Sequence, residues 1–391
     1  MYHRAHVIRL MPTAVQQTAF ARACGTARFA YNWGLEQWGK MYAAHQADPS
    51  LPKPSEFTIR KALNAVKRDE FPWMLEVSKY APEEALRALG RGFANFFAGR
   101  ARYPKFKQRG RHDAFRVDGQ SVSTDGCHVV LPRIGQVRMR EALRFPGRVL
   151  SATVSRHASG WFISLTVETE TLRHRPAENQ GTVGVDLGLA HLAVLSTGET
   201  IAAPQAYRRA EARLQRLQRA LSRKARGSAN RKKAIARVGR AHQRVADARA
   251  DFLHKLTTDL ARRFSTVVIE DLHVKGMAGG RLAKSVHDAG LGEFRRQLTY
   301  KIEARGGQLV VADRWFPSSK TCSACGRHYA GLKLGERRWT CTACGTEHDR
   351  DLNAAKNLLS LAAGAAVSAC GEGSAGRDAS RGETALCEAG R

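Results

Sequence analysis

Acidic residues are scarce in this chain, and long apolar runs are missing from it. Its 391 residues include 35 Asp and Glu against 64 Lys and Arg, so the formal net charge is +29. An excess of this size indicates a polyanionic partner, most often nucleic acid. The N-terminal segment has no apolar run of signal-peptide length, and the apolar stretch Leu358–Ala369 is too short to span a bilayer. We therefore expect a cytoplasmic protein with no membrane partner.

Cysteine is also sparse outside two short motifs. Four of the eight cysteines are scattered, which suits a reducing compartment better than a disulfide framework. The other four form two C-x2-C pairs separated by 15 residues, a gap at the edge of the spacing seen in structural zinc sites. One such pair could be a redox motif, but two pairs at this gap favour a tetrahedral zinc site with no open position for catalysis. The predicted zinc ligands are Cys322, Cys325, Cys341 and Cys344.

Changes in sequence pattern along the chain predict a multidomain α/β protein. Apolar residues make up 43% of the chain, which is enough for packed cores. A short strand is followed by helical periodicity, then by strands that alternate around the turn "HASG", and then by an α/β region. The C-terminal segment is rich in Gly, Ser and mixed charge, so we expect it to be disordered. The expected segments are a β-domain at 1–11 and 112–175, a helical insertion at 12–111, an α/β domain at 180–316 and 346–365, a zinc ribbon at 317–345 and a disordered tail at 366–391.

The α/β region has the element order of a ribonuclease H-like domain. Three short strands start at "TVGVDLG", and a helical hairpin that turns at "RGSAN" follows them. Two more buried strands, "STVVIEDL" and "GGQLVVAD", lie on either side of another helical segment. The zinc ribbon comes next, directly before a last helix that starts at "DRDLNAA". In this topology the ends of the first and fourth strands and the start of the last helix can meet.

Three acidic residues occupy those three places: Asp186, Glu270 and Asp351. Carboxylates at the ends of buried strands are costly unless something positive meets them. Hard oxygen ligands of this kind hold Mg²⁺, and two ions about 4 Å apart can activate a water and stabilise the leaving oxygen of a phosphodiester. The alternatives are that Asp186 and Glu270 are strand-end turn residues and that Asp351 or Asp349 caps the helix.

The strings around these residues resemble the TnpB proteins of bacterial insertion sequences, long called OrfB. They are "GVDLG", "VIEDL", "FPSSKTCSACG" and "CTACGTEHDRDLNAAKNL", and the resemblance extends over about residues 5–362. It implies an RNA-guided DNA endonuclease related to the type V CRISPR effectors. The implied architecture is a RuvC nuclease domain with an inserted zinc ribbon, together with a wedge β-barrel that carries a helical recognition insertion. By the family pattern, the catalytic triad falls on Asp186, Glu270 and Asp351.

The resemblance also implies the cofactors and partners. One structural Zn²⁺ and two catalytic Mg²⁺ are expected, with a guide RNA from the protein's own element and a double-stranded DNA target that carries a short flanking motif. Cleavage would support maintenance of the transposon. Two other functions stay open from the residues: a cut-and-paste transposase that acts on DNA ends without RNA, and a non-catalytic RNA-guided repressor.

Two basic strings are candidates for phosphate contacts, although each could equally be an ordinary solvated surface. The aromatic cluster Phe29, Tyr31 and Trp33 could stack on bases, but aromatic residues near a first helix more often belong to a core. The candidate phosphate contacts are Lys105, Lys107, Arg223, Lys224, Arg226 and Lys232.

Overall fold

A computed structural model describes residues 2–170, 181–333 and 335–369, with side chains as far as Ala362. The chain divides into two compact units, Met1–Arg173 with Ala220–Gln243, and His174–Arg219 with Arg244–Arg391. The end of the expected β-domain, 171–175, and the expected tail beyond Ala369 lie outside the described residues. Among the helices in the described ranges, none combines the length and the apolar character required to cross a membrane.

The described part of the first 170 residues contains seven strands and three α-helices. They are β1 (Tyr2–Arg9), α1 (Ala14–Ala47), α2 (Glu56–Val66), α3 (Tyr80–Phe97), β2 (Ala114–Asp118), β3 (Ser123–Asp125), β4 (His128–Leu131), β5 (Gly135–Arg138), β6 (Arg148–His157) and β7 (Gly160–Thr169).

The strands of this unit form two linked antiparallel sheets. One has the order β1-β7-β6-β2, so the two sequence segments assigned to the β-domain do pair with each other. Its β6–β7 hairpin turns at the predicted "HASG", with His157 paired to Gly160. The second sheet, β3-β4-β5, is joined to the first at the bridge between Leu10 and Met139. Because β2 and β3 are connected by a 3-10 turn instead of a hydrogen-bonded ladder, the closed barrel stays a prediction.

The helices lie between β1 and β2, where the helical insertion is expected. Helix α1 begins with a capping box, in which the side chains of Thr13 and Gln16 each accept from the other's backbone N–H. The ring of Trp38 on α1 stacks on Phe93 of α3 with centroids 4.0 Å apart, and both rings are buried. This aromatic pair helps to hold the two helices together.

Residues 181–369 follow the predicted order of elements. They are β8 (Gly181–Leu187), β9 (His191–Leu195), β10 (Thr200–Ala202), α4 (Ala206–Ser222), α5 (Ala229–Arg263), β11 (Phe264–Glu270), α6 (Val274–Met277), α7 (Ala283–Ala289), α8 (Leu291–Glu303), β12 (Gln308–Ala312), β13 (Arg338–Thr340), β14 (Glu347–Asp349) and α9 (Arg350–Ala369).

A mixed sheet with the order β10-β9-β8-β11-β12 is the centre of the second unit. Strand β11 is parallel to both β8 and β12, whereas β9 and β10 are antiparallel to their neighbours. Parallel strands are usually covered on both faces, which accounts for the continuous apolar runs in β8 and β11. Val183, Val185, Val267 and Ile269 are accordingly fully buried.

Helix α9 packs directly on β8. A Cβ atom on Gly184 would lie 2.0 Å from the carbonyl oxygen of Ala355 and 2.6 Å from the backbone nitrogen of Leu359. Glycine is therefore required at this position for the helix to approach the strand so closely. The expected tail starting at 366 was wrong for its first residues, because α9 continues to Ala369 through an alanine-rich stretch with high helix propensity.

The hairpin of α4 and α5 turns between Ser222 and Ala229, in agreement with the turn predicted at "RGSAN". Helix α5 has 35 residues and is therefore about 52 Å long. The tip of the hairpin, Ala220–Gln243, groups with the first unit, whereas the expected boundaries place it in the α/β domain.

Candidate active site and metal centre

The topology brings Asp186, Glu270 and Asp351 to one edge of the mixed sheet. Val185 and Ile269 are paired across the parallel strands β8 and β11, so the acids that follow them stand side by side at the strand ends. Asp351 lies in the first turn of α9, the helix that crosses β8 at Gly184. The ends of β8 and β11 are therefore adjacent, and the charges of Glu270 and Asp351 both act on Asp186.

Asp349, and not Asp351, caps the last helix. Its Oδ1 accepts hydrogen bonds from the backbone N–H groups of Asp351 and Leu352, each at 3.0 Å. A side-chain oxygen in this place satisfies donors that the helix leaves unpaired. The capping role expected for one of the two acids thus belongs to Asp349, and the carboxylate of Asp351 takes no part in it.

The pKa of Asp186 is affected by the other two acids. Burial of the carboxyl group is the largest cause of a pKa raised well above its usual range, and the negative charges of Glu270 and Asp351 raise it further. Arg350 and Arg337 oppose this shift. Like charges held together in a poorly solvated place favour a bound cation or a retained proton. The electrostatics around Asp186 are therefore those of a cation-binding site.

Each of the other two acids is held by a neighbouring side chain. Glu270 accepts a hydrogen bond from the hydroxyl of Ser318, and Asp351 accepts from Arg337 at 2.9 and 3.2 Å through its two oxygens. Asp271, the first residue after β11, is instead paired with Arg295 and Arg314. Carboxylate oxygens are the ligands that Mg²⁺ takes in proteins, so the donor set fits this ion.

The four predicted zinc ligands form a compact cluster. Their Sγ atoms all lie within 4.8 Å of one another, a proximity that no other group of three or more candidate ligands reaches in the described residues. The pairs Cys322–Cys344 and Cys325–Cys341 are each 3.7 Å apart. A Zn–S bond of about 2.3 Å places the sulfur atoms of a tetrahedral site about 3.8 Å apart, so the cluster fits a structural Zn²⁺.

An aromatic stack supports this cluster. His348 lies with Nε2 3.0 Å from Cys322 Sγ, its ring packs on Trp339, and Trp339 stacks on Tyr329. The hairpin of β13 and β14 carries two of these residues and runs to Asp349, past the expected end of the ribbon at 345. The ribbon therefore leads without a linker into the cap of α9.

Two asparagines tie the first cysteine pair to the acid site. Asn353 accepts from Ser323 N at 2.8 Å and donates to Thr321 O at 2.7 Å. Asn357, one turn later, donates to Thr321 O at 2.6 Å and to Ser318 O at 2.7 Å. Because Ser318 also donates to Glu270, a continuous set of contacts runs from the zinc ribbon through α9 to the end of β11.

Ser318, Arg337, Asn353 and Asn357 were missed from the sequence. Their partners are between 14 and 48 residues away in the chain. Contacts over such separations leave no periodic pattern in the local sequence. The one available signal was the spacing of Asn353 and Asn357, which places both amides on the same face of a helix. Buried amides on one face need partners outside the helix.

The two predicted basic strings lie in the same unit, since Lys105 belongs to its first segment and the hairpin turn to Ala220–Gln243. Lys105, Arg223, Lys224, Arg226 and Lys232 are exposed. Lys107 is also exposed, and its ammonium lies 4.0 Å from the centroid of the Tyr31 ring, where partial desolvation lowers its pKa. Tyr31 is buried and Phe29 and Trp33 pack against the same core, so the packing alternative for this cluster is confirmed.

Three family models match the chain. One described as "Probable transposase" covers residues 162–281, one described as "Cas12f1-like, TNB domain" covers 292–358, and one described as "Helix-turn-helix domain" covers 1–47. In the structure, the last range contains β1 and the single long helix α1.

The chain is also similar to full-length proteins. It is 43% identical over 377 residues to a "Putative RNA-guided DNA endonuclease" of Streptomyces pristinaespiralis, covering 95% of this chain and 91% of that protein. It is 33% identical over 388 residues to "Putative RNA-guided DNA endonuclease InsQ" of Escherichia coli (strain K12), covering 94% of each. The fold is similar to a chain in a "Cryo-EM structure of the Cas12f1-sgRNA-target DNA complex", with a TM-score of 0.53 and 13% identity over 87% of this chain and 81% of that one.

Proposed function

Because the chain belongs to the TnpB (OrfB) family of insertion-sequence proteins, we propose that it is an RNA-guided, magnesium-dependent DNA endonuclease. The observation that carries this proposal is the meeting of Asp186, Glu270 and Asp351 at one edge of the mixed sheet. We assign these three acids as the catalytic residues of a RuvC-type site in a ribonuclease H-like domain. The strand order and the raised pKa of Asp186, to which desolvation and the charges of Glu270 and Asp351 contribute, support this assignment.

The chain's own residues prepare the site in distinct ways. Magnesium bound to the acids would supply Lewis-acid stabilisation for attack of water on a phosphodiester and for the departing 3′ oxygen. Ser318 orients Glu270, and Arg337 orients Asp351. The charges of Glu270 and Asp351 raise the pKa of Asp186, so a bound cation would favour its ionised form. The role of the zinc ribbon is structural: its contacts with α9 set the position of Asp351.

The proposed partners are a guide RNA from the protein's own element and a double-stranded DNA target with a short flanking motif. In such systems base pairing with the guide supplies the sequence specificity, and the protein holds the nucleic acid mainly by its backbone. The net charge of +29 and the exposed basic residues of the hairpin turn support this division of labour. We assign the two linked sheets as the wedge domain and helices α1 to α3 as the recognition insertion.

A purification from the host tests the RNA partner. The full-length protein should retain a discrete RNA through washes at moderate salt, and this complex should linearise members of a plasmid library when Mg²⁺ is added. Omission of Mg²⁺ or the change Asp186→Ala should abolish cutting and leave RNA binding intact. Asp251→Asn, which alters an exposed helical acid paired with Lys255, serves as the matched control and should cut normally.

The outcomes separate the proposed function from its alternatives. DNA joining by an RNA-free protein would indicate a cut-and-paste transposase. RNA-dependent DNA binding without cutting by the unaltered protein would indicate a repressor. Normal cutting by the Asp186→Ala variant would show that the catalytic acids are assigned wrongly.

A further inference from the structure

Trp315 has the largest exposed fraction among the exposed large apolar side chains of the described residues, at 84%. It lies in the short connection between β12 and the first cysteine pair, within a turn closed by a hydrogen bond from Phe316 N to Asp313 O. The Asp313 carboxylate also accepts from the backbone N–H of Trp315 at 2.8 Å. An indole exposed to water contributes no burial energy to folding. Its exposure on a hydrogen-bonded turn therefore needs another explanation.

The residues on both sides of Trp315 are anchored at the acid site. Arg314 donates to Asp271 at 2.6 Å, and Asp271 directly follows the proposed catalytic residue Glu270. Ser318, at the other end of the turn, donates to Glu270 itself. Phe316 packs against the cluster of Val268, Ala312 and Leu358. These three anchors tie the turn to residues at and next to the end of β11 and leave the intervening indole exposed.

Arg314, directly before Trp315, supplies a cation next to the indole. Its guanidinium shares the single carboxylate of Asp271 with Arg295, while the Asp313 carboxylate accepts from the backbone of its own turn. A cation next to an exposed aromatic ring is the combination that binds single strands, with the phosphate drawn to the charge and the base stacked on the ring. A base in an intact duplex has no free face to offer, so the strand must be unpaired there.

We infer that Trp315 is a stacking residue for an unpaired nucleobase of the strand that enters the acid site. Arg314 holds the adjacent phosphate, and the turn from Asp313 to Ser318 sets the distance between that base and the acids. This inference rests on the proposed function, because it takes the strand at the acids to be the one that is cut.

Binding of a fluorescein-labelled oligothymidylate of about 20 nucleotides to the full chain, without added divalent ions, provides the test. Trp315→Ala should weaken binding about tenfold, and Trp315→Phe should keep most of the affinity because a phenyl ring still stacks. The dependence of affinity on salt should have the same slope for all three proteins, since no phosphate contact is removed. On an oligomer of the same length with abasic sites throughout, the difference between the unaltered protein and Trp315→Ala should disappear.

Equal affinity of the unaltered protein and Trp315→Ala for the oligothymidylate would overturn the inference. A loss of the same size on the abasic oligomer would also overturn it, because the indole would then act through the backbone or through the fold. Trp315→Leu guards against a folding effect: it keeps an apolar side chain on the turn and should bind as weakly as the alanine variant. The binding assay needs no cutting, so a protein that shows this pattern but never cleaves DNA would refute the endonuclease proposal alone.

Discussion

The closest approach between α9 and the sheet, at Gly184, offers a sharp test of how the acid site is positioned. A Cβ atom there would lie 2.0 Å from Ala355 O, whereas ordinary contacts begin at about 3.4 Å and contacts under 3.0 Å are essentially never seen. In Gly184→Ala the helix must therefore move away from β8 by roughly 1 to 1.4 Å. Asp351 moves with the helix, while Asp186 stays on the strand.

Overpacking of this kind lowers the free energy of unfolding by about 1–3 kcal/mol. A displacement of about 1 Å between groups that act together can reduce turnover about 100-fold. We expect both effects in Gly184→Ala, measured by urea denaturation and by the rate of Mg²⁺-dependent plasmid cleavage. Bound zinc should be unchanged, because the cysteines keep their geometry.

Gly292→Ala is the matched control. Gly292 lies in α8, and a Cβ atom there meets nothing within 4 Å, so the change should leave cleavage unaltered and stabilise the helix by about 0.5–1 kcal/mol. If Gly184→Ala is as stable and as active as the unaltered protein, the contact between α9 and β8 does not set the position of Asp351, and the reasoning fails.

Three further predictions concern the same unit. Asp186→Asn should raise the metal-free thermal midpoint at pH 7, because a raised folded-state pKa means that ionisation opposes folding; this gain should vanish below about pH 4, where the carboxyl group is protonated in both states. Asn357→Ala should lower the free energy of unfolding by about 1–3 kcal/mol and speed zinc loss to a chelator, because Ser318 O and Thr321 O lose a buried donor. Asp349→Ala should cost about 1 kcal/mol in urea denaturation, and Asp349→Ser should recover most of it as a helix cap.

Each of these predictions has an outcome that contradicts it. An Asp186→Asn protein that is less stable than the unaltered one at pH 7 would mean that the carboxylate is favourably paired. Zinc loss from Asn357→Ala at the rate of Asn64→Ala, which removes an exposed amide bonded to Lys67, would separate the ribbon from α9. Equal losses in the alanine and serine variants of Asp349 would show that capping is not its contribution.

Local patterns in the sequence were sufficient for many of the elements after residue 180. The cysteine pairs, the turn at "RGSAN" and the apolar runs of β8 and β11 each depend on spacing within a short stretch, and the structure agrees with all three. The order of elements followed from them. The boundary at 366 was wrong by a few residues, because the alanine-rich end of α9 has high helix propensity and the helix continues to Ala369.

The partners of the acids could not be predicted in the same way. Whether Asp349 or Asp351 caps α9 depends on which carboxylate turns toward the free N–H groups, and adjacent sequence does not decide this. The contact of the Lys107 ammonium with the Tyr31 ring could not be predicted either, because Tyr31 lies 76 positions earlier in the chain. The assignment of the catalytic acids stays a prediction for the cleavage assay to decide.

By itself, the sequence determined which residues have the right chemistry: a net charge of +29, four thiols at zinc spacing and three carboxylates at element ends. Periodicity and spacing are local, so one-dimensional information suffices for them. Only the tertiary structure decided that α9 touches β8 at Gly184, that Asn357 joins the ribbon to Ser318, and that the charges of Glu270 and Asp351 raise the pKa of Asp186. These interactions join residues far apart in the chain, and they form only when tertiary packing brings the corresponding surfaces together.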